Sequence, residues 1–197
     1  MSERPVVVWF RSDLRLADHR ALSAAAATGL PLVFLYILDD VTPGEWKFGA
    51  ASRWWLDKSL ALLAADIEDR GGKLVLRRGP ASVVLPKFAA ECDAGAVYFT
   101  RAYEPFAVAL EQQLKLSFDA AGVAFKRYGG AFLREPEDVR TKTGDVYKVY
   151  TPFWKSLSTD FAPTKALSAP KSFVSYSNSL PSDDLRDVPF ANGAFLG

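Results

Sequence analysis

Cysteine and histidine are almost missing. The 197-residue chain has one of each, Cys92 and His19. A single cysteine excludes an internal disulfide and fits a reducing, cytoplasmic setting. One cysteine and one histidine also exclude a zinc site built from the usual ligands. No charge sign dominates: 24 Lys and Arg stand against 23 Asp and Glu, a net charge of +1. A surface that grips phosphate backbones needs a clear basic excess, so nucleic acid is not an expected partner of this chain alone. Long hydrophobic runs are lacking. The longest, residues 30–38, falls far short of the roughly 20 residues that span a bilayer. No apolar stretch of signal-peptide type follows residues 1–5, so no membrane association is expected.

Several motifs are absent as well. No G-x-G-x-x-G follows the first apolar run, there is no G-x-x-x-x-G-K-[ST], and there is no G-x-S-x-G elbow. A dinucleotide fingerprint, a phosphate loop and an α/β-hydrolase nucleophile are thereby set aside. Gly71-Gly72 and Gly129-Gly130 read as terminators of a helix and a strand. His19 falls in a first helical turn, where exposure is expected, and Cys92 sits in an apolar context that suits packing.

What is present is an alternation. Residues 6–10 and 32–38 are continuous β-rich runs, and 73–76, 96–100 and 124–128 repeat the theme. Such runs suit strands buried on both faces. Between them lie helical patterns. Residues 18–28 are Ala-rich, with Asp18 as the expected N-cap and Gly29 then Pro31 as the stop. In 50–70, Leu56, Leu60, Leu63 and Ile67 recur at helical spacing. Residues 80–92 and 105–121 follow, the second with Leu110, Leu114 and Phe118 on one face. The order predicts an α/β fold, a Rossmann-like doubly wound five-stranded parallel sheet flanked by helices. One α/β domain is expected over residues 1–155. From Ser156 the texture turns to Ser, Pro, Lys, Asn and Thr, so 156–197 reads as an extended, linker-like tail.

Ligands of such sheets sit beyond the carboxyl ends of the strands. Arg11, Asp13 and Arg15 follow the first strand; Arg11 is expected at the cleft mouth, and the other two as loop fasteners. Asp39-Asp40 follow the second strand. Glu104-Pro105 opens a helix, where a carboxylate suits the N-terminus electrostatically and also stands where a ligand could be met. Trp54 and Trp55 follow Arg53; packing is expected of at least one, and a stacking wall is the other reading. "VYTPFWKSL", residues 149–157, carries Phe153 and Trp154 on a short helix that either docks on the sheet or meets a following domain.

Three separated stretches share one resemblance. "WFRSDLRLADHRAL" resembles the W-F-R-x-D-L-R-L-x-D-N-x-A-L signature of the DNA photolyase/cryptochrome family, with His19-Arg20 in place of the usual Asn and its neighbour. "YEPFA" resembles that family's E-P turn, and "GDVYKVYTPFWKSL" its G-x-x-Y-x-V-[FY]-T-P-F-[WY] segment. The resemblance implies an N-terminal antenna domain that holds a light-harvesting chromophore, in proteins of light-dependent DNA repair or blue-light signalling. By that likeness the pocket residues are Arg11, Tyr36, Ile37, Leu38, Asp39, Arg53 and Glu104. Phe106 and Ala107 stand where folate-using members have Asn-Glu, and Ala102 stands where deazaflavin users commonly have Asp. A deazaflavin or flavin is therefore favoured over folate. The FAD-binding helical domain, which carries the catalysis, is missing from these 197 residues, so no catalytic residue is expected here and a separate FAD-binding helical chain is the implied partner. "PFANGAFLG" at 189–197 does not resemble the family linker, which suggests a truncated chain. The competing reading is a generic α/β nucleotide-binding or protein-interaction module related by fold alone.

Overall fold

The computed structural model describes residues 3–132, 134–159, 162 and 165–184. Five parallel strands form the sheet: β1 (Val6–Phe10), β2 (Leu32–Leu38), β3 (Leu74–Arg78), β4 (Ala96–Thr100) and β5 (Ala124–Tyr128). Their spatial order is β3-β2-β1-β4-β5. Four helices fill the crossovers: α1 (Arg20–Ala26), α2 (Ala50–Glu68), α3 (Ala81–Glu91) and α4 (Pro105–Ala120). A fifth, α5 (Tyr150–Thr159), follows the sheet.

The α/β alternation expected from the sequence is the observed architecture. Four of the five strands take the expected bounds. The third differs: it begins at Leu74 and continues through Arg77 and Arg78. Two arginines end an apolar run in sequence, but β3 is an edge strand and can carry them. Arg77 lies over the Phe88 ring at 5.1 Å and pairs with Glu91 at 3.0 Å.

Strand alternation divides the core in two. Val6, Val8, Phe10, Phe34 and Tyr36 face α1 and α2, where Leu22, Leu60, Leu63 and Ile67 cover them. Val7, Trp9, Val33, Leu35 and Phe99 face α3 and α4, under Leu85, Phe88, Leu114 and Phe118. Because order runs outward from β1 to β2 and β3, then from β4 to β5, the sheet reverses between β1 and β4. The cleft of a doubly wound sheet opens at that reversal, past the carboxyl ends.

The segment after α5 is more ordered than its composition suggests. Leu32 donates its amide to Val174 O at 2.9 Å, and Phe173 to Arg70 O at 3.0 Å. Phe173 packs on the α1–α2 side, its ring 4.7 Å from that of Phe34. Tyr176 and Leu180 pack on the α3–α4 side. Ser182 Oγ accepts the Leu76 amide at 3.0 Å, and the Asp183 amide donates to Leu76 O at 3.0 Å. The chain thus passes round the β3 side and occupies its outer edge. No periodicity foretells this, because the segment docks residue by residue. α5 itself continues past Ser156 to Thr159. The dissimilar stretch at 189–197 lies outside the described residues. Among the described residues, no helix is long and apolar enough to cross a membrane.

One close approach sets the β3 entry. A Cβ on Gly72 would lie 2.5 Å from Phe34 Cε2 and 2.7 Å from Ile67 Cγ2, both buried. Gly72→Ala is expected to lower stability by about 2 kcal/mol through overpacking, read as a lower urea midpoint at unchanged m.

Candidate functional site at the carboxyl ends of the strands

The β1–β4 reversal is filled by the protein's own charges. Arg11 leaves the end of β1 toward α4. Its guanidinium lies over the rings of Trp9 at 4.9 Å and Phe99 at 5.2 Å. Its Nη2 donates to Thr100 O and to Glu111 Oε1, the latter at 2.7 Å. Glu111 is 5% exposed and also accepts the Ala102 amide at 3.0 Å. A buried guanidinium needs such a counter-charge, because desolvation otherwise penalises it heavily. Arg11 stands past the carboxyl end of β1 with its Nη2 engaged internally.

The other face of the reversal holds a second pair. Asp13 Oδ1 accepts the Arg11 amide at 2.9 Å, and Oδ2 lies 2.8 Å from His19 Nε2. Burial alone would raise the Asp13 pKa. The neighbouring His19, then Thr100 and the Arg11 amide, outweigh that and hold it at about 2. His19 is buried, not exposed, and it caps α1 in place of Asp18. The histidine is edge-on to Phe10 at 5.0 Å. Asp18 instead takes a positive φ of 49° and bonds to Leu167 in both directions. Arg15 fastens the same loop through Asp18 O at 3.1 Å and Gly130 O at 3.2 Å.

The end of β2 is built differently. Asp39 Oδ1 accepts the Val41 and Thr42 amides at 2.9 and 2.8 Å, and Oδ2 accepts the Thr42 hydroxyl and the Ala81 amide. This carboxylate closes its own turn and caps α3, a use of Asp that helix N-termini favour. Arg53 pairs with Asp40 at 2.6 Å and donates to Phe48 O at 3.0 Å. Tyr36 and Leu38 are buried toward α2, and Ile37 toward α3. Burial, then the Asp40 charge, raises the Tyr36 phenol pKa, and Arg53 opposes that rise. Glu104, at the start of α4, is exposed, and its carboxylate accepts only the Tyr103 amide, at 3.1 Å, among the bonds described.

The structure thus gathers Tyr36, Leu38 and Arg53 on one side of β2 and places Asp39 beneath α3. Arg11 and Glu104 stand across the β1 loop, at α4. Both Trp54 and Trp55 are exposed, 52% and 68%, contrary to the expectation that one packs. Leu56, Leu60, Leu63 and Ile67 alone provide the buried stripe of α2. The two indoles lie 6.3 Å apart ring to ring and follow Arg53 of the Arg53–Asp40 pair, and Trp46 at 81% and Phe48 at 44% are exposed on the segment before α2.

Two groups of residues escape the sequence reading. Glu111 carries a signal: it interrupts the apolar stripe of α4 between Ala107 and Leu114, where a charge must have a buried partner. The second cluster carries none. Tyr103 Oη contacts Glu135 Oε2 and, at 3.0 Å, Glu137 Oε2. Arg101 reaches Glu137 at 3.4 Å and Arg127 reaches it at 3.8 Å. Burial and the two carboxylates raise the Tyr103 phenol pKa, against Arg101. Tyr103 and Arg101 lie over thirty residues from these glutamates and clasp the segment after β5 onto the β4–α4 loop. Among the described residues, no group of three or more His, Cys, Asp or Glu could hold a metal ion.

Glu111→Gln is expected to destabilise the fold by about 2–3 kcal/mol, because it leaves the Arg11 charge without its counter-ion. Asp40→Asn, at a more exposed pair, is expected to cost about 1 kcal/mol or less in the same urea titration. Asp13 gives an acid limb. Its folded pKa lies below the unfolded value of 3.8. Its stabilisation is therefore present above about pH 4 and is lost as pH falls toward 2, by on the order of 2 kcal/mol. Asp13→Asn removes that part of the pH dependence in acid-unfolding curves.

The comparisons agree with this architecture. A family model for DNA photolyase matches residues 6–171. The deoxyribodipyrimidine photo-lyase of Agrobacterium fabrum is 39% identical over 86% of this chain and 35% of its own length. Cryptochrome-1 of Arabidopsis thaliana is 32% identical over 86% of this chain and 25% of its own length. The crystal structure of a bacterial class III photolyase from Agrobacterium tumefaciens superposes with a TM-score of 0.88 at 36% identity, covering 96% of this chain and 39% of that one. The chain spans about a third of the length of these photolyases and a quarter of the cryptochrome. Its five-stranded α/β sheet is the N-terminal domain of their architecture, and the chain belongs to the DNA photolyase family.

Proposed function

We propose that this chain is the antenna domain of a photolyase- or cryptochrome-type protein, and that it holds a planar light-harvesting chromophore at the carboxyl ends of β1, β2 and β4. One observation carries the reading: Trp54 and Trp55, 6.3 Å apart, stay exposed next to the Arg53–Asp40 pair, and Trp46 and Phe48 are exposed on the segment that leads to them. Indoles left in water at such a position suit a planar ligand, because stacking returns the burial that folding did not supply.

The residues fit a deazaflavin or a flavin. The aromatic surface would meet the ring system. Tyr36 and Leu38 would supply the firm apolar floor on the α2 side, and Ile37 anchors the strand end from the opposite face. Asp39 keeps the β2 turn and the start of α3 in place. Arg53, held by Asp40, sets positive charge at the rim, and Arg11 does the same from the β1 side. Glu104, whose carboxylate accepts one described bond, would accept hydrogen bonds from the ligand. When bound, such a chromophore absorbs light and passes the excitation to a second pigment. The protein's part is to hold it, orient it and keep water from its faces. The DNA-directed chemistry of the relatives is assigned to an FAD-bearing helical domain in the part of their length that this chain does not match. The near-neutral charge agrees with that division, since this domain has little to hold a phosphate backbone with.

The test is a titration of the purified chain with a deazaflavin, FMN and a reduced folate, followed by tryptophan quenching and by the ligand's visible band. Binding of a deazaflavin or FMN is expected, with Trp54→Ala or Trp55→Ala weakening it at least tenfold. Both side chains are exposed, so stability should change by under about 0.5 kcal/mol. Failure of all three ligands to bind, or binding that ignores both tryptophans, overturns the reading. A nucleotide that raises the Tm while the chromophores do not would return the chain to a nucleotide-binding role.

A further inference from the structure

The start of α1 is held by an imidazole side chain. His19 Nδ1 accepts the Leu22 amide at 3.1 Å, and His19 Nε2 lies 2.8 Å from Asp13 Oδ2. An imidazole nitrogen that accepts an amide hydrogen carries no proton of its own. In this arrangement Nδ1 carries no proton, and Nε2 stands 2.8 Å from Asp13 Oδ2 without the alignment of a hydrogen bond. The ring is 1% exposed.

Among the described residues, the Asp13 carboxylate is the charged group set against the ring. From β1 comes Phe10, and from the following loop the Asp13 carboxylate. β4 contributes Thr100, hydrogen-bonded to Asp13, and Tyr98. β5 contributes Tyr128, 5.3 Å from Tyr98 ring to ring, and Lys126, whose Nζ donates to the Tyr98 hydroxyl at 3.2 Å. Arg20, next in the chain, lies along Gly130. Arg15 and Asp18 are bound to Gly130 O and Leu167. Arg11 and Glu111 lie across the sheet, on the α4 side.

We infer that His19 is a pH-sensitive latch on the β1–α1 loop: a proton added at Nδ1 turns the cap's acceptor into a donor facing the Leu22 amide, and the first turn of α1 opens. Asp13 keeps Nε2 in both states, so the ring stays docked and the change is local. It reaches the adjoining residue, Asp18, which accepts the Leu167 amide at 3.2 Å through Oδ1 and donates its own amide to Leu167 O at 2.7 Å. Opening the turn therefore loosens the grip of the first loop on the segment after α5. Asparagine, one of the strongest N-caps, would hold the same amide without titrating.

The experiment is NMR on the full 197-residue chain between pH 8 and pH 5, the interval in which imidazole side chains titrate. At pH 8 the ring nitrogen shifts are expected to show the proton on Nε2. As the ring protonates, exchange protection of the Leu22 amide, corrected for intrinsic rate, should fall about fivefold or more, while β1 keeps its protection. His19→Asn should hold Leu22 protection level over the same range. The proton on Nδ1 at pH 8 overturns the inference. So does a ring that stays neutral to pH 5 in the folded chain, or an equal loss of Leu22 protection in His19→Asn. If that variant does not fold, the tautomer and the Leu22 protection of the unaltered chain decide the matter by themselves.

Discussion

A buried carboxylate, Asp13, organises the end of the central strand. It takes the Arg11 amide, stands against His19 and meets Thr100 of β4. Those contacts tie β1 to β4 at the place where the strand order reverses and where the two sheet faces would otherwise part. A charge out of water must be met by several donors, and the donors here are drawn from β4, from the cap of α1 and from the backbone. Arg11 then has its direction fixed by the amide it gives to Asp13. It extends to the far face, where Glu111 and the rings of Trp9 and Phe99 receive it. One anion thus sets the geometry of the loop on one face and of the ion pair on the other.

The seven expected ligand residues look different with that frame in place. Three of the four charged ones are engaged by their neighbours: Arg11 by Glu111, Arg53 by Asp40, Asp39 by three amides and a hydroxyl. They shape a fixed rim. The surface that faces solvent is aromatic instead, in Trp46, Phe48, Trp54 and Trp55. A rim of locked charges around exposed rings favours a ligand recognised by shape and stacking, with few direct charge contacts. Rigid surroundings also lower the ordering cost of binding.

Strand positions were legible because doubly buried parallel strands write themselves as unbroken apolar runs, as at Val6–Phe10 and Leu32–Leu38. Helix α2 was legible from Leu56, Leu60, Leu63 and Ile67. Motif likeness supplied the family. The reading failed where a residue's role depends on distant partners. His19 looked exposed because polar side chains in first turns usually are, but its burial comes from Asp13 and Phe10. Trp54 and Trp55 looked like packing because indoles usually bury themselves. The docking of the tail left no mark in the sequence because Phe173, Leu180 and Ser182 each dock at separate points and leave no period.

The two edges of the sheet are treated unequally. Ser182 and Asp183 occupy the outer backbone of β3, while among the described residues no strand pairs with the outer side of β5. There Lys126 and Arg127 are exposed, and such charges discourage another strand from joining an open edge. The assembly is therefore one-handed in its vulnerability. Conditions that neutralise those two cations would expose a template for extension along β5 alone, and misassociation would grow from that side of the molecule.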